Sequence, residues 1–87
     1  MNKEELISAL RVIVTPYAQD AHALENINES TDFIKDLKIN SANLVDVVLD
    51  MEEQFGIEID NEAMAKMLDV KSAILIVEEK LAAIGGQ

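Results

Sequence analysis

Serine and histidine are the residue types that could build a catalytic site here, because the chain contains no cysteine. A serine nucleophile would depend on His22, the one histidine, and no G-x-S-x-G turn is present to expose a serine for attack. We therefore expect His22 to be an exposed loop residue, and the sequence predicts no catalytic residue. The lack of cysteine also excludes disulfide frameworks, thiolate zinc sites and catalytic thiols.

Acidic residues are numerous, but their spacing does not match a cation-binding loop. An EF-hand loop beginning at Asp50 would need glycine at its sixth position and glutamate at its twelfth, where the chain has Phe55 and Asn61. A glycine-rich phosphate loop cannot be built around Gly56, the one glycine before the C-terminal pair. The sequence therefore predicts no metal site.

Ser41 stands where a helix is predicted to begin, and two interpretations fit it. A serine at such a position usually caps the helix by accepting a backbone hydrogen bond. Alternatively, a phosphate ester on Ser41 would lie at the positive end of the helix dipole, beside unpaired N–H groups. The neighbours Asn40 and Ala42 do not decide between the two.

The helix after Ser41 presents an acidic outer face. Asp46, Asp50 and Glu53 follow one another at spacings of four and three. Two apolar residues border this face, and acids beside apolar residues suit a docking patch for a basic partner. The alternative is that the apolar pair contacts the preceding loop while the acids are merely solvated. The apolar pair is Val45 and Leu49, with Glu52 in the same row.

The apolar spacing predicts three longer helices and one short helix. The first has a stripe at Leu6, Leu10, Ile13 and Tyr17, and it should break near Pro16. The second covers 41–55 and ends at Gly56. Its inner stripe is predicted at Leu44, Val47, Val48, Met51 and Phe55. The third, a short helix, is capped by Asp60 and the last by Asp69. The inner face of the last helix is predicted at Val70, Ile74, Val77, Leu81 and Ile84.

A long polar connection over residues 20–38 separates the first two predicted helices. Connections of this length are uncommon unless they are functional or held against the core, and we expect Phe33 and Leu37 to hold this one. With 87 residues, the chain is predicted to be one all-α domain, residues 1–87.

The charge of the chain restricts its partners. Seven basic against seventeen acidic residues give a net charge of −10, which argues against nucleic acid and for basic protein partners. Residues 39–65 carry seven acids and no base. No apolar run approaches the roughly 18 residues of a membrane span, and the acidic start at Asn2–Glu5 is unlike an export signal. We expect a cytoplasmic protein.

One stretch of the chain resembles the phosphopantetheine attachment region of acyl carrier proteins. The approach Asp32-Phe33-Ile34-Lys35-Asp36-Leu37, the window Asp36 to Asp46, and Met51-Glu52-Glu53-Gln54-Phe55 are similar to the family's approach to its serine and the acidic helix behind it. Residues 56–60 and 70–77 fit the family's later helices without a gap. The resemblance is specific over 32–59 and covers about residues 3–84.

The resemblance implies a four-helix bundle that carries a 4'-phosphopantetheine arm on Ser41 and an acyl group on that arm as a thioester. It further implies a modifying transferase, the holo-carrier synthase, and acyl-handling enzymes with basic surfaces as partners of a monomeric carrier. Partner docking is expected at Asn40, Ala42, Val45, Asp46, Leu49, Glu52 and Glu53. Candidates for an acyl-binding cavity are Leu44, Val48, Met51, Phe55, Met67 and Ile74.

Two departures from the family pattern surround the serine. The family's Asp-Ser-Leu is Asn40-Ser41-Ala42 here, so an acidic and an apolar recognition residue are both replaced. A specialised carrier in fatty-acid, lipid or related biosynthesis fits this pattern. The alternative is an unmodified acidic helical module that docks basic partner proteins.

Overall fold

Five helices make up the described part of the chain in a computed structural model, which covers the backbone of residues 2–85 and the side chains of residues 2–83. The helices are α1 Lys3–Val14, α2 Ala21–Glu25, α3 Ser41–Phe55, α4 Asn61–Lys66 and α5 Val70–Gly85. The three longer helices of the prediction are α1, α3 and α5, the short one is α4, and the all-α class is confirmed.

The fifth helix, α2, lies inside the connection that was predicted as one long loop. The Asp20 carboxylate caps it by accepting the Ala23 N–H at 3.0 Å. Ala23 and Leu24 are half-buried against the core. The helix is five residues long, which is too short for an apolar stripe to repeat, so the apolar spacing does not predict it.

The break at the end of α1 is confirmed. The helix ends at Val14, two residues before Pro16, because proline lacks the N–H that would continue the ladder. The apolar stripe predicted Tyr17 as part of this helix, but the helix ends before it. It lies in the following turn, where its N–H donates to the Val14 carbonyl at 2.9 Å.

The core lies between α1, α3 and α5, with side chains from the connections completing it. Most residues of the predicted inner stripes are buried. Tyr17, Phe55 and Leu81 are half-buried against the core, and the side chain of Ile84 lies outside the described residues. The assignment of residues 1–87 to a single domain stays a prediction. The buried cluster contains Leu6, Leu10, Ile13, Val14, Phe33, Leu37, Ile39, Leu44, Val47, Val48, Met51, Ile57, Ile59, Met67, Val70, Ala73, Ile74 and Val77.

The first loop is held against the core by the two residues predicted to do so, since Phe33 and Leu37 are both fully buried. Backbone pairing adds to this attachment. The Phe33 N–H donates to the Leu68 carbonyl at 3.0 Å, and the Val70 N–H donates to the Thr31 carbonyl at 2.9 Å. The approach to Ser41 is therefore fastened to the start of α5.

The helix ends use local signals that the sequence predicts. Gly56 follows α3 with a left-handed φ of 66°, a conformation that favours glycine. The Asp60 carboxylate accepts the Ala63 N–H at 2.7 Å at the start of α4. The Asp69 carboxylate accepts the Ser72 N–H at 2.8 Å at the start of α5, and this hydrogen bond holds the pKa of Asp69 below its usual value.

Lys38 has a left-handed backbone with φ of 59° between two buried neighbours, Leu37 and Ile39. A side chain other than glycine or asparagine costs about 1 kcal/mol or more there, most of all a β-branched one. Lys38→Asn is expected to raise the free energy of unfolding by about 0.5 kcal/mol and Lys38→Val to lower it by about 1 kcal/mol. Urea unfolding measures both changes.

The matched control is the same pair of substitutions at Lys35, an exposed loop residue whose φ is not positive. Asparagine and valine should differ there by much less than at Lys38. A similar difference at the two positions would contradict the argument from backbone strain.

Candidate functional site

Ser41 is the first residue of α3, and its side chain is exposed. The residue that caps the helix is Asn40, whose side-chain oxygen accepts the Ala42 N–H at 2.8 Å. The interpretation of Ser41 as the cap is therefore wrong. Its hydroxyl stands free of the capping role, next to the N–H groups of the first turn that have no partner inside the helix.

Ser41 differs from the other three serines of the chain in combining exposure with the start of a helix. Ser8 is exposed but lies in the middle of α1, and Ser30 lies in a turn of the first loop. Ser72 lies in the first turn of α5 but is half-buried. Because Ser41 is exposed, a group attached to it can extend into solvent, and the positive end of the helix dipole favours a phosphate at this position.

The outer face of α3 presents the predicted docking residues to solvent. Val45 is 44% exposed and Leu49 is 55% exposed, and Asp46 and Glu53 are exposed beside them. About half of each apolar side chain is therefore open to solvent, so any contact with the first loop leaves both available to a partner. A docking role for these residues, and for exposed Asn40 and Ala42, stays a prediction.

Two acids of α3 have bonding partners within the fold that the sequence does not predict. The Glu52 carboxylate is half-buried and accepts the Ile59 N–H at 2.8 Å, which ties α3 to the segment before α4. Asp50 accepts the Tyr17 hydroxyl at 3.1 Å, and this hydrogen bond, with burial adding to it, raises the pKa of Tyr17. Glu52 thus stabilises the fold, and its docking role stays a prediction.

The candidates for an acyl-binding cavity lie in the core. Leu44, Val48, Met51, Met67 and Ile74 are buried, and half-buried Phe55 packs against them. Ile74 also lines a pocket of about 40 Å³, close to the volume of one or two water molecules. An acyl chain would have to displace packed side chains to enter this region, so the cavity stays a prediction.

His22 and the acidic groups form no metal site within the described residues. His22 is exposed, as expected, but it lies in α2 and not in a loop. In the part of the chain that the structure describes, no group of three or more histidine, aspartate and glutamate side chains is placed to hold a metal ion.

The acids of residues 39–65 form no ion pair within the described side chains. The ion pair found there joins Lys3 and Glu29 at 3.3 Å, outside this segment. The repulsion between the acids of this segment reaches about 30 Å in 10 mM salt and about 8 Å at physiological ionic strength. Raising the salt between these values is expected to relieve about 1 kcal/mol of repulsion and to raise the Tm by roughly 4–8 °C. Calorimetry measures this shift.

The control is a pair of double variants. Asp46→Asn with Glu53→Gln should reduce the dependence of the Tm on salt more than Glu78→Gln with Glu79→Gln, because residues 66–87 carry three bases against three acids. Equal reductions would show that the overall net charge, and not the acidic segment, sets the salt dependence.

Comparison with known proteins shows which family this chain resembles. A family model described as "Phosphopantetheine attachment site" matches residues 17–73. The acyl carrier protein of Nitratidesulfovibrio vulgaris strain Miyazaki F is 35% identical over 80 residues, which are 92% of this chain and 99% of that protein. The acyl carrier protein of Thermotoga maritima is 29% identical over 80 residues, 92% of this chain and 96% of that protein.

The fold agrees with these relatives. A solved structure of the acyl carrier protein from Enterococcus faecalis superposes with a TM-score of 0.72, covering 92% of this chain and 99% of that one at 22% identity. The helices of the described residues do not include a candidate membrane span. The matches support 4'-phosphopantetheine as the cofactor and an acyl carrier role, and they do not favour an unmodified docking module. The resemblance seen in the sequence is confirmed, and the chain belongs to the acyl carrier protein family.

Proposed function

We propose that Ser41 is the residue that carries the 4'-phosphopantetheine arm. The observation that supports this assignment is the division of roles at the start of α3, where Asn40 caps the helix and the exposed Ser41 hydroxyl is left for modification. The attached arm supplies a thiol that holds an acyl group as a thioester, a group that a chain without cysteine cannot provide itself.

The residues around Ser41 suit a phosphodiester on its hydroxyl oxygen. The N–H groups of the first turn of α3 have no partner inside the helix and point toward its N-terminal end, where Ser41 lies, and this end favours negative charge. Lys38, an exposed base three residues before Ser41, adds positive charge to the approach. The chain holds and presents the group and carries out no catalytic step.

The outer face of α3 is the proposed docking surface for the transferase and for acyl-handling enzymes. Val45 and Leu49 offer exposed apolar contacts, and Asp46 and Glu53 offer charges for basic side chains. Contacts of both kinds suit transient docking, in which charges guide the encounter and apolar groups bind. We propose that the carrier acts as a monomer in the cytoplasm, as the sequence predicts.

The test is the intact mass of the chain after incubation with coenzyme A and the transferase of its own organism. We expect a single phosphopantetheine adduct, and peptide mapping should locate it on the peptide that contains Ser41. A chain that stays unmodified under these conditions would overturn the carrier function. An adduct on Ser8, Ser30 or Ser72 would overturn the assignment of the site.

A further inference from the structure

An open cleft of about 450 Å³ separates the end of α1 from the C-terminal part of α3. One of its residues, Val12, is 73% exposed, more than any other large apolar side chain in the described part of the chain. Val12 lies off the apolar stripe of α1, so its side chain does not pack in the core of the bundle. The cleft is lined by Val12, Ile13 and Pro16 from the α1 side and by Asp50, Glu53 and Gln54 from α3.

The two walls of the cleft differ in chemistry. The α1 side is apolar, and the α3 side carries two carboxylates, with no basic side chain among the lining residues. Lysine and arginine side chains match such a surface, because their methylene stems pack on apolar groups while their charged ends reach acids or solvent. The Tyr17 hydroxyl, which donates to Asp50 at 3.1 Å, also restricts where that carboxylate can point.

The cleft lies within reach of an enzyme that acts on Ser41. Asp50 and Glu53 follow Ser41 by nine and twelve residues, which places them about 14 and 18 Å along the axis of α3. A standard interface covers about 800 Å² on each partner and is therefore roughly 30 Å across. Glu53 belongs both to the proposed docking face and to the lining of the cleft, so a protein that reaches Ser41 and covers Val45 and Leu49 on the same helix can extend to the cleft.

We propose that this cleft receives an arginine or lysine side chain of the transferase that modifies Ser41. The proposal rests on the proposed function, and it adds a contribution from α1 to a docking surface otherwise built on α3. The charge of the cleft selects a cationic group, and the exposed Val12 and Pro16 select one with an apolar stem.

The test compares kcat/KM for phosphopantetheine transfer from coenzyme A by the organism's own transferase. Val12→Ser and Asp50→Asn are each expected to lower kcat/KM by roughly three- to tenfold. The Asp50→Asn effect should shrink at high salt because it removes a charge, whereas the Val12→Ser effect should persist because it removes apolar contact. Both variants should unfold near the wild-type temperature, since Val12 is exposed and asparagine can still accept from Tyr17.

Three controls separate the cleft from general effects. Tyr17→Phe removes the hydrogen bond to Asp50 but keeps its charge, and it should lower kcat/KM less than Asp50→Asn. Leu75→Ser removes an exposed apolar side chain from α5, where Leu75 is 56% exposed and shares a pocket with Lys3 at the start of α1. Glu78→Gln removes an exposed acid from the same helix. Both α5 variants should be modified like the wild type.

The outcomes distinguish the two proposals. Transfer to the wild type with unchanged kcat/KM for Val12→Ser and Asp50→Asn would overturn the cleft as a docking site and leave the proposed function standing. Losses no larger than those of Leu75→Ser and Glu78→Gln would overturn it as well. No transfer to the wild type would overturn the proposed function, and with it this inference.

Discussion

Replacing Ser41 with alanine is expected to abolish attachment of phosphopantetheine while leaving the chain folded. Alanine has no hydroxyl to form the phosphodiester, so the expected loss is complete. The fold should tolerate the change because Ser41 is exposed and because the cap of α3 belongs to Asn40, whose hydrogen bond to the Ala42 N–H does not involve Ser41. The free energy of unfolding should change by less than about 0.5 kcal/mol.

The experiment measures intact mass and urea unfolding on the same preparations. Ser8→Ala is the matched control, because it removes an exposed serine hydroxyl from a helix far from the start of α3. It should be modified like the wild type. A Ser41→Ala chain that still gains the adduct would place the arm elsewhere, and one that loses more than about 1 kcal/mol would show that Ser41 supports the fold.

The helices that the sequence predicts well are those with repeated local signals. α3 covers 41–55 as predicted, because its apolar stripe repeats over four turns and Gly56 ends it. α5 begins after Asp69, which is a recognisable cap. These signals lie within a few residues of the structure that they specify.

Features that depend on contacts between distant residues could not be predicted in the same way. The Glu52 hydrogen bond to the Ile59 N–H and the Tyr17 hydrogen bond to Asp50 have no periodic pattern in the sequence. The first loop was expected to reach the core, but its backbone pairing with the segment before α5 depends on where α5 packs. α2 is too short to repeat a pattern.

The candidate site could be predicted only in part, and the reason is chemical. Asparagine and serine are almost equally good helix caps, so Asn40-Ser41 leaves the start of α3 uncertain by one residue. Only the fold decides that Asn40 is the cap and that Ser41 is the first helical residue. The exposed face of α3 followed from helical spacing, whereas the α1 side of the cleft needed the packing of two helices.

The double variant Asn40→Asp with Ala42→Leu is expected to make the chain a better substrate for a general carrier-modifying synthase. It restores the acidic and apolar residues that the family has on either side of the serine. Both changes should be compatible with the fold. Aspartate caps a helix as well as asparagine does, and residue 42 is exposed in the first turn of α3.

The expected gain follows from the two contacts that are restored. A charge-assisted hydrogen bond contributes roughly 1.5–3 kcal/mol against about half that for a neutral one. Three additional carbons contribute about 1–2 kcal/mol if docking buries them. Because 1.4 kcal/mol is a tenfold change, kcat/KM for phosphopantetheine transfer should rise roughly tenfold to a few hundredfold.

The measurement is kcat/KM for the wild type, the two single variants and the double variant with one general synthase. Asn43→Asp is the matched control, because it adds the same charge to the same turn of α3 but does not precede the serine. The Asn40→Asp gain should shrink at high salt, and the Ala42→Leu gain should not. Equal values for the wild type and the double variant would show that recognition depends on other residues, with Val45, Asp46, Leu49 and Glu53 as the first to test. A gain from Asn43→Asp as large as that from Asn40→Asp would mean that added negative charge near the serine, and not its position, improves the substrate.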